Sequence, residues 1–418
     1  MSVRPEPFDS PLIPSSPLIL SSPLIPSSPL ILSLSKDEFL AQDVPVEGRA
    51  MRALYGCFLV LAALQVDVLR PIDAIPAHIA GRFRDPTGFQ QSSSGQYFVF
   101  DRRSHVVFGV DEAQTSAWEI VHIGGEEGRI IDPSAFAVGA DGTFAVADAP
   151  GGRERIQIFT PAGFRNSGFV LPARQTPRLL FDGFVLNGIG SLQFTGTRIL
   201  ISQPETGSLV TEYALDGSVV RTVGQLRKTG HENDRDVHVA LNGGMPLVTS
   251  DGGLFFVFQT GEPIVRKYDR EGRLVFERHV EGREIDDVVA KLPTTWPTRR
   301  DTDGEIAMVT PTVRTAAVDR DGNVWIAFVV PYTFVYDRDG DKIRTVQFRA
   351  TGIMAPHSLF FGRSGRVLVT PGLYEFSVAR EPHAVPPFPP FPSFPPVPPV
   401  LPFLPFLPFL PFPPAQSQ

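Results

Sequence analysis

The chain has 418 residues, a formal charge of -7 and a single cysteine, Cys57. That length accommodates one large domain or several ordinary ones. With no basic block it has no footprint for nucleic acid or an anionic membrane, and one thiol excludes an internal disulfide or a cysteine-based zinc site.

Residues 10–33 repeat the hexamers SPLIPS and SPLILS. The repeat has neither a helical nor a strand period, and its prolines forbid a regular hydrogen-bonded ladder. Residues 1–50 are therefore expected to be low-complexity chain, either disordered or untranslated sequence upstream of the start. The stretch LSLSKDEFL that follows the hexamers resembles read-through of interspersed repeats in bacterial genomes. Met51 then opens MRALYGCFLVLAALQVDV, in which Arg52 precedes an apolar run from Ala53 to Val66. A short basic region ahead of a hydrophobic core has the shape of a secretory signal peptide. The run falls short of the ~20 apolar residues of a membrane span. Leu54-Tyr55-Gly56-Cys57 resembles a lipoprotein box, but the hydrophobic core follows it instead of preceding it. With Met51 as the start, segment 51–69 predicts export to the periplasm or the extracellular medium. With translation from residue 1 the run becomes internal.

From 75 to 381 the chain reads almost entirely as strands. Six units share one form: an apolar strand, a glycine turn, a second strand rich in β-branched and aromatic residues, then further strand. The turns are centred on Gly95, Gly142, Gly196, Gly253, Gly322 and Gly365, at spacings of 47, 54, 57, 69 and 43 residues. Several units carry a second turn, as in TPAGFR, ALDGSVV, DREGRLV and DRDGDKI. Strand–turn–strand units at ~40–50 residues are the signature of propeller blades. The expected fold is therefore all-β, a six-bladed β-propeller flanked by low-complexity ends. Strands such as VWIAFVV are apolar without alternation, as expected of sheets buried on both faces. The sixth unit is one strand short, so AHIAGRF at 77–83 is expected to pair as its outer strand and remove two free edges.

The segment VDRDGNVWIAFVVPYTFVYDRDGDKI holds two Asp-x-Asp-Gly turns, at 319–322 and 337–340. A calcium loop places glycine at position 6 and an acidic ligand at position 12. Counted from Asp319 these are Val324 and Val330, and from Asp337 they are Lys342 and Phe348. The two segments are therefore read as hairpin turns whose glycines supply positive φ.

AVDRDGNVWIAF…VYDRDGDKI and GADGTFAVAD…RIQIFTPAGF resemble the NHL-type repeat of six-bladed propellers. The chain is similar, over roughly 75–381, to exported bacterial six-bladed β-propeller proteins. The resemblance implies architecture and leaves activity open, because the fold carries lyases, lactonases and binding modules alike.

Loops entering the innermost strands line one mouth of a propeller channel. Aligning units on their turn glycines sets DPTGF at 85–89 over DPSAF at 132–136. The same register brings Arg314 and His357 to the place of Thr87 and Ser134, with Gly190 and Gly244 nearby. One side of the mouth is thus expected to hold Asp85, Asp132, Arg314 and His357, and the other to be bare. A cation beside a histidine suits a carboxylate or similar anion, and the imidazole could also serve as a base. Amidating-lyase relatives use three channel histidines for zinc, and this register supplies only His357. Lactonase relatives use a Glu, Asn and Asp set. Asn187 lies near a blade entrance, but matching carboxylates are missing, so no metal and no cofactor is expected.

The longest spacing contains EGREIDDVVAKLPTTWPTRRDTDGE at 281–305. Ile285, Val288, Val289 and Leu292 fit one helical face. Trp296, Arg299 and Arg300 follow on a loop and form a candidate partner surface. His231, Glu232, Asp234 and His238 invite a metal reading, but their spacing matches no helix-borne ligand pair. The tail at 384–418, AVPPFPPFPSFPPVPPVLPFLPFLPFLPF and beyond, is uncharged, with a period of three that matches polyproline II. It is read as a disordered low-complexity segment. No nucleophile–base–orienter set can be assembled, and no catalytic residue is assigned. The sequence therefore favours a binding or scaffold module for a small anionic ligand or a partner protein. A hydrolase or lyase using His357 and Arg314 is the alternative.

Overall fold

The computed structural model describes residues 66–172, 190–301 and 304–379, together with the backbone of a strand pair, Leu179–Phe181 and Phe184–Leu186. Both low-complexity ends and the apolar run that follows Met51 lie outside the described residues.

The architecture is a six-bladed β-propeller. Blade one is built from Pro86–Gln91, Tyr97–Asp101, Val106–Val110 and Ala117–Val121, and blade two from Ala135–Val138, Phe144–Asp148, Arg155–Phe159 and Arg165–Val170. Blade three is Leu192–Phe194, Ile199–Ser202, Ser208–Tyr213 and Val219–Gln225, and blade four is Gly244–Val248, Leu254–Phe258, Ile264–Tyr268 and Leu274–His279. Blade five uses Val313–Val318, Val324–Phe328, Thr333–Tyr336 and Lys342–Arg349, and blade six Ser358–Phe361, Arg366–Thr370 and Tyr374–Ser377. The first strands of successive blades touch all the way round, so these strands line the axis.

Each seam between neighbouring blades has its own apolar cluster. Phe98, Phe100, Phe136 and Phe144 fill the seam of blades one and two. Leu209 and Val210 meet Phe256 and Phe258 between blades three and four. Phe255 meets Phe334 between four and five. A sheet packed on both faces needs apolar side chains at odd and even positions alike, which is why LFFVF and VWIAF are buried throughout. The turn between third and fourth strands rests on the preceding blade. A Cβ at Gly163 would stand 2.2 Å from Ile120 O, and one at Gly217 2.6 Å from Phe169 Cβ. Both glycines also have positive φ, so turn geometry and close packing demand the same residue.

Blade six is completed by Pro71–Ala74, which pairs with Tyr374–Ser377. The expectation that 77–83 plays this part is corrected: Ala77–Ala80 is a short helix. The spacing of Ile75, Ile79 and Phe83 is four residues, a helical period, and all three enter the seam between blades six and one. A further strand, Val66–Leu69, runs parallel to Lys342–Arg349 on the edge of blade five. Arg344 Nε donates to Asp67 Oδ2 at 2.5 Å and fixes that strand. The N-terminal part of the described chain therefore covers the outer edges of two blades.

The hairpin reading of the Asp-Gly segments agrees with their hydrogen bonds. Asp319 Oδ1 accepts from the backbone N–H groups of Asp321 and Asn323, and its Oδ2 accepts from Trp325 Nε1 at 2.9 Å. Asp337 Oδ1 accepts from the N–H groups of Asp339 and Asp341. These carboxylates cap turns. In blade four the residue with positive φ is Gly252, one place before the glycine used for the sequence register.

Candidate functional site at the channel mouth

Equivalent positions of the six first strands build the mouth. Thr87, Ser134, Gly190, Gly244, Arg314 and His357 each stand four residues before the end of their strand. The register drawn from the turns therefore holds in space. Gly244 has no room for a side chain, since a Cβ there would lie 2.4 Å from Val257 O. The other five line a cavity of about 230 Å³.

Arg314 and His357 come from adjacent blades and meet. Arg314 Nη1 is 2.8 Å from His357 Nε2. A guanidinium only donates, so the imidazole Nε2 accepts, and the neutral ring carries its proton on Nδ1. In this arrangement the Nε2 lone pair is engaged by Arg314.

Asp85 and Asp132 do not line the cavity. Asp85 pairs with Arg102 at 3.3 Å, and Arg102 does reach the wall. The segment carrying Asp85 is fixed by Asp101, which is fully buried and accepts from the N–H groups of Arg84 and Asp85. Asp85 thus acts on the site through Arg102. Asp132 lies 3.9 Å from His105 Nε2, and both residues have positive φ. Gln90 ties two blades at this mouth, accepting from Val138 N at 2.7 Å and donating to Phe136 O.

The charge of the wall is uneven. Arg102, Arg314 and His357 belong to blades one, five and six, and no carboxylate lines the cavity among the described residues. Blades two, three and four contribute uncharged groups, among them Ser134, Ser191, Leu192, Met245 and Gln259. Gln259 follows the second strand of blade four and was not singled out from sequence. Its only sequence signal is a polar residue directly after the apolar run LFFVF.

The insertions flanking blade four form a cap beside it. Trp296 is 7% exposed and packs with Val237, Ala240, Leu241 and Val309. It holds the cap together, and the exposed part of the expected partner surface is Arg299 and Arg300, on the strand Thr298–Asp301. Residues 281–305 do contain a helix, Arg283–Val289, with Ile285 buried against blades four and five. The polar cluster at 231–238 serves a second helix, Arg235–Leu241. Asp234 caps it by accepting from Val237 N, and His238 Nδ1 pairs with Thr229 Oγ1 at 2.7 Å. Glu232 accepts from the N–H groups of Thr229 and Gly230. Arg227 closes the cap onto the blade. It donates to the carbonyls of Leu241, Thr260 and Glu262, and burial pushes its pKa down to about 10. Among the described residues no three His, Cys, Asp or Glu side chains gather as a metal site. Asn187 lies outside the residues whose side chains are described.

The fold and the axial cavity define the chain as a six-bladed β-propeller with a polar mouth. No family model and no curated protein matches it in sequence. Solved structures similar to it include a streptogramin B lyase, at 12% identity and a TM-score of 0.43, covering 73% of this chain and 95% of that one. Virginiamycin B lyase from Staphylococcus aureus matches at 12% identity and a TM-score of 0.41, covering 68% and 77%. Regucalcin from Agrobacterium tumefaciens, a calcium-binding protein, matches at 12% identity and a TM-score of 0.41, covering 73% and 88%. No helix among the described residues is long and apolar enough to cross a membrane.

Proposed function

We propose that the protein is a propeller-based binding module that takes a small carboxylate or similar anion at its channel mouth. The observation that carries this reading is the wall itself, where Arg102, Arg314 and His357 line one cavity with no carboxylate among the described lining residues. Arginine forms planar paired hydrogen bonds to carboxylates, and these are strongest in a partly enclosed site. Binding is favoured over catalysis because His357 Nε2 accepts from Arg314, which occupies the atom a general base would use. A hydrolase or lyase reading remains as the alternative and requires that contact to open. Export from a start at Met51 belongs to the same proposal. N-terminal sequencing of native protein tests it, and a first residue near 1 would defeat it.

The binding reading is tested by a melting-temperature screen with small carboxylates, lactones and divalent ions. A ligand at about 100 times its Kd stabilises the native state by ~2.7 kcal/mol. A carboxylate that stabilises the parent but not Arg314→Ala or His357→Ala supports the mouth. A chelator-sensitive lactonase activity would reverse the preference for binding. If no ligand acts but a partner protein is captured through Arg299 and Arg300, the function moves to the cap.

A further inference from the structure

Gln259 is 5% exposed, and its side chain forms part of the cavity wall on blade four. Its backbone is fully used: the N–H donates to Gly243 O, and the carbonyl accepts from the N–H groups of Thr312 and Val313. Those bonds hold the residue in place. The side-chain amide, by contrast, makes no hydrogen bond to any described residue. The amide opens onto the cavity, so a group that enters would meet a donor and an acceptor already fixed in place. An amide held in place by its backbone and opening onto a cavity is set to read a polar group that enters it. Thr87 Oγ1, on a residue that lines the same cavity, is itself buried without a partner among the described residues.

The position of Gln259 narrows the ligand. The two arginines come from blades five and one, with His357 of blade six between them, and Gln259 stands on blade four, in the uncharged sector. We infer that the mouth takes a small monocarboxylate bearing a neutral hydroxyl group, with the carboxylate at Arg314 and His357 and the hydroxyl read by the amide of Gln259. This rests on the anion-binding reading above. A primary amide both donates and accepts, so it complements a hydroxyl, which does the same. A second carboxylate in that sector would be desolvated with no cation among the described lining residues, so dicarboxylates are disfavoured. Gln259 is on this reading a specificity-determining residue.

The test is calorimetry on the full chain with short straight-chain monocarboxylates, their ω-hydroxy counterparts and dicarboxylates of the same length. The parent is compared with Gln259→Met, which keeps the volume and removes the amide. The parent should bind the best hydroxy acid about tenfold more tightly than its plain counterpart, a preference of ~1.4 kcal/mol. It should bind the dicarboxylate more weakly than either. Gln259→Met should lose the preference while binding the plain monocarboxylates as the parent does, which also shows that the variant is folded. A parent without preference, or a preference that survives in Gln259→Met, overturns the inference and leaves the anion site standing. If no carboxylate binds the parent at all, both readings fall. Should Gln259→Met not fold, Gln259→Asn, which retains the amide but withdraws it, must weaken the hydroxy acid selectively for the inference to stand.

Discussion

The two halves of the channel mouth are built on the same backbone and carry opposite chemistry. On blades five, six and one the walls present Arg314, His357 and Arg102; on blades two, three and four they present Ser134, Ser191, Met245 and Gln259. The supports differ too. Beneath the neutral half the seam of blades three and four is apolar, with Phe256 fully buried and edge-on to Phe258. Beneath the cationic half, the seam of blades six and one adds a buried polar knot to its apolar cluster. Tyr97 donates to Glu375, which is 1% exposed and also accepts from Gln114 Nε2 at 3.3 Å and Arg366 Nη1 at 2.8 Å. The comparison teaches that a repeat fixes where a wall residue stands and leaves its chemistry free. On the proposed anion-binding role, the polarity of a ligand would follow from which blades carry charge.

Removing the apolar support is expected to have the largest effect. Phe256→Ala should cost about 3–5 kcal/mol of unfolding free energy, read by urea denaturation. A loss below 1 kcal/mol would mean that the seams of the neutral half are not the frame of the ring. Next is the charge itself. Arg314→Ala should weaken binding of a short monocarboxylate about 100-fold, the upper range for a hydrogen bond to a charged group. Ser134→Ala, at the equivalent position on the other half, should change it by less than about threefold. Equal effects at the two positions would erase the distinction between the halves.

The polar knot gives a smaller effect with a defined pH dependence. Desolvation and the hydrogen bond to Glu375 raise Tyr97 from the ordinary 10.0 to about 12. The folded chain therefore keeps this proton where the unfolded chain releases it. The stabilisation is complete below pH 10 and declines between pH 10 and 12. Glu375→Gln should cost about 1–2 kcal/mol at neutral pH and flatten that alkaline decline. An unchanged alkaline profile would show that the knot does not bear on the closure. The smallest change sharpens the contrast by building charge where there is none. Ser191→Lys should raise the affinity of dicarboxylates about tenfold while leaving monocarboxylates unaltered. No gain for dicarboxylates would place Ser191 away from the ligand's far end.

Local chemistry made much of the fold legible. Glycine turns between apolar strands marked the blades because positive φ at a hairpin selects glycine, and strands buried on both faces have no polar alternation to hide them. The same register located the mouth: Thr87, Ser134, Gly190, Arg314 and His357 share one cavity because each blade hangs from an equivalent turn. Turn chemistry also sufficed to separate Asp319 and Asp337 from a calcium loop. What sequence could not reach depends on distance along the chain. Ile75, Ile79 and Phe83, on and beside the short helix Ala77–Ala80, are buried together because the seam of blades six and one receives them, and Pro71–Ala74 closes blade six by pairing with a strand some three hundred residues away. Asp85 and Asp132 looked like wall residues in the aligned register, but their partners are Arg102 and His105, on a loop that alignment of first strands does not include. Trp296, read from sequence as part of a candidate partner surface, is buried by tertiary packing with Val237 and Leu241. Gln259 carries no motif at all. Its place at the cavity wall arises from tertiary structure: only the closed ring brings the end of the second strand of blade four to the mouth.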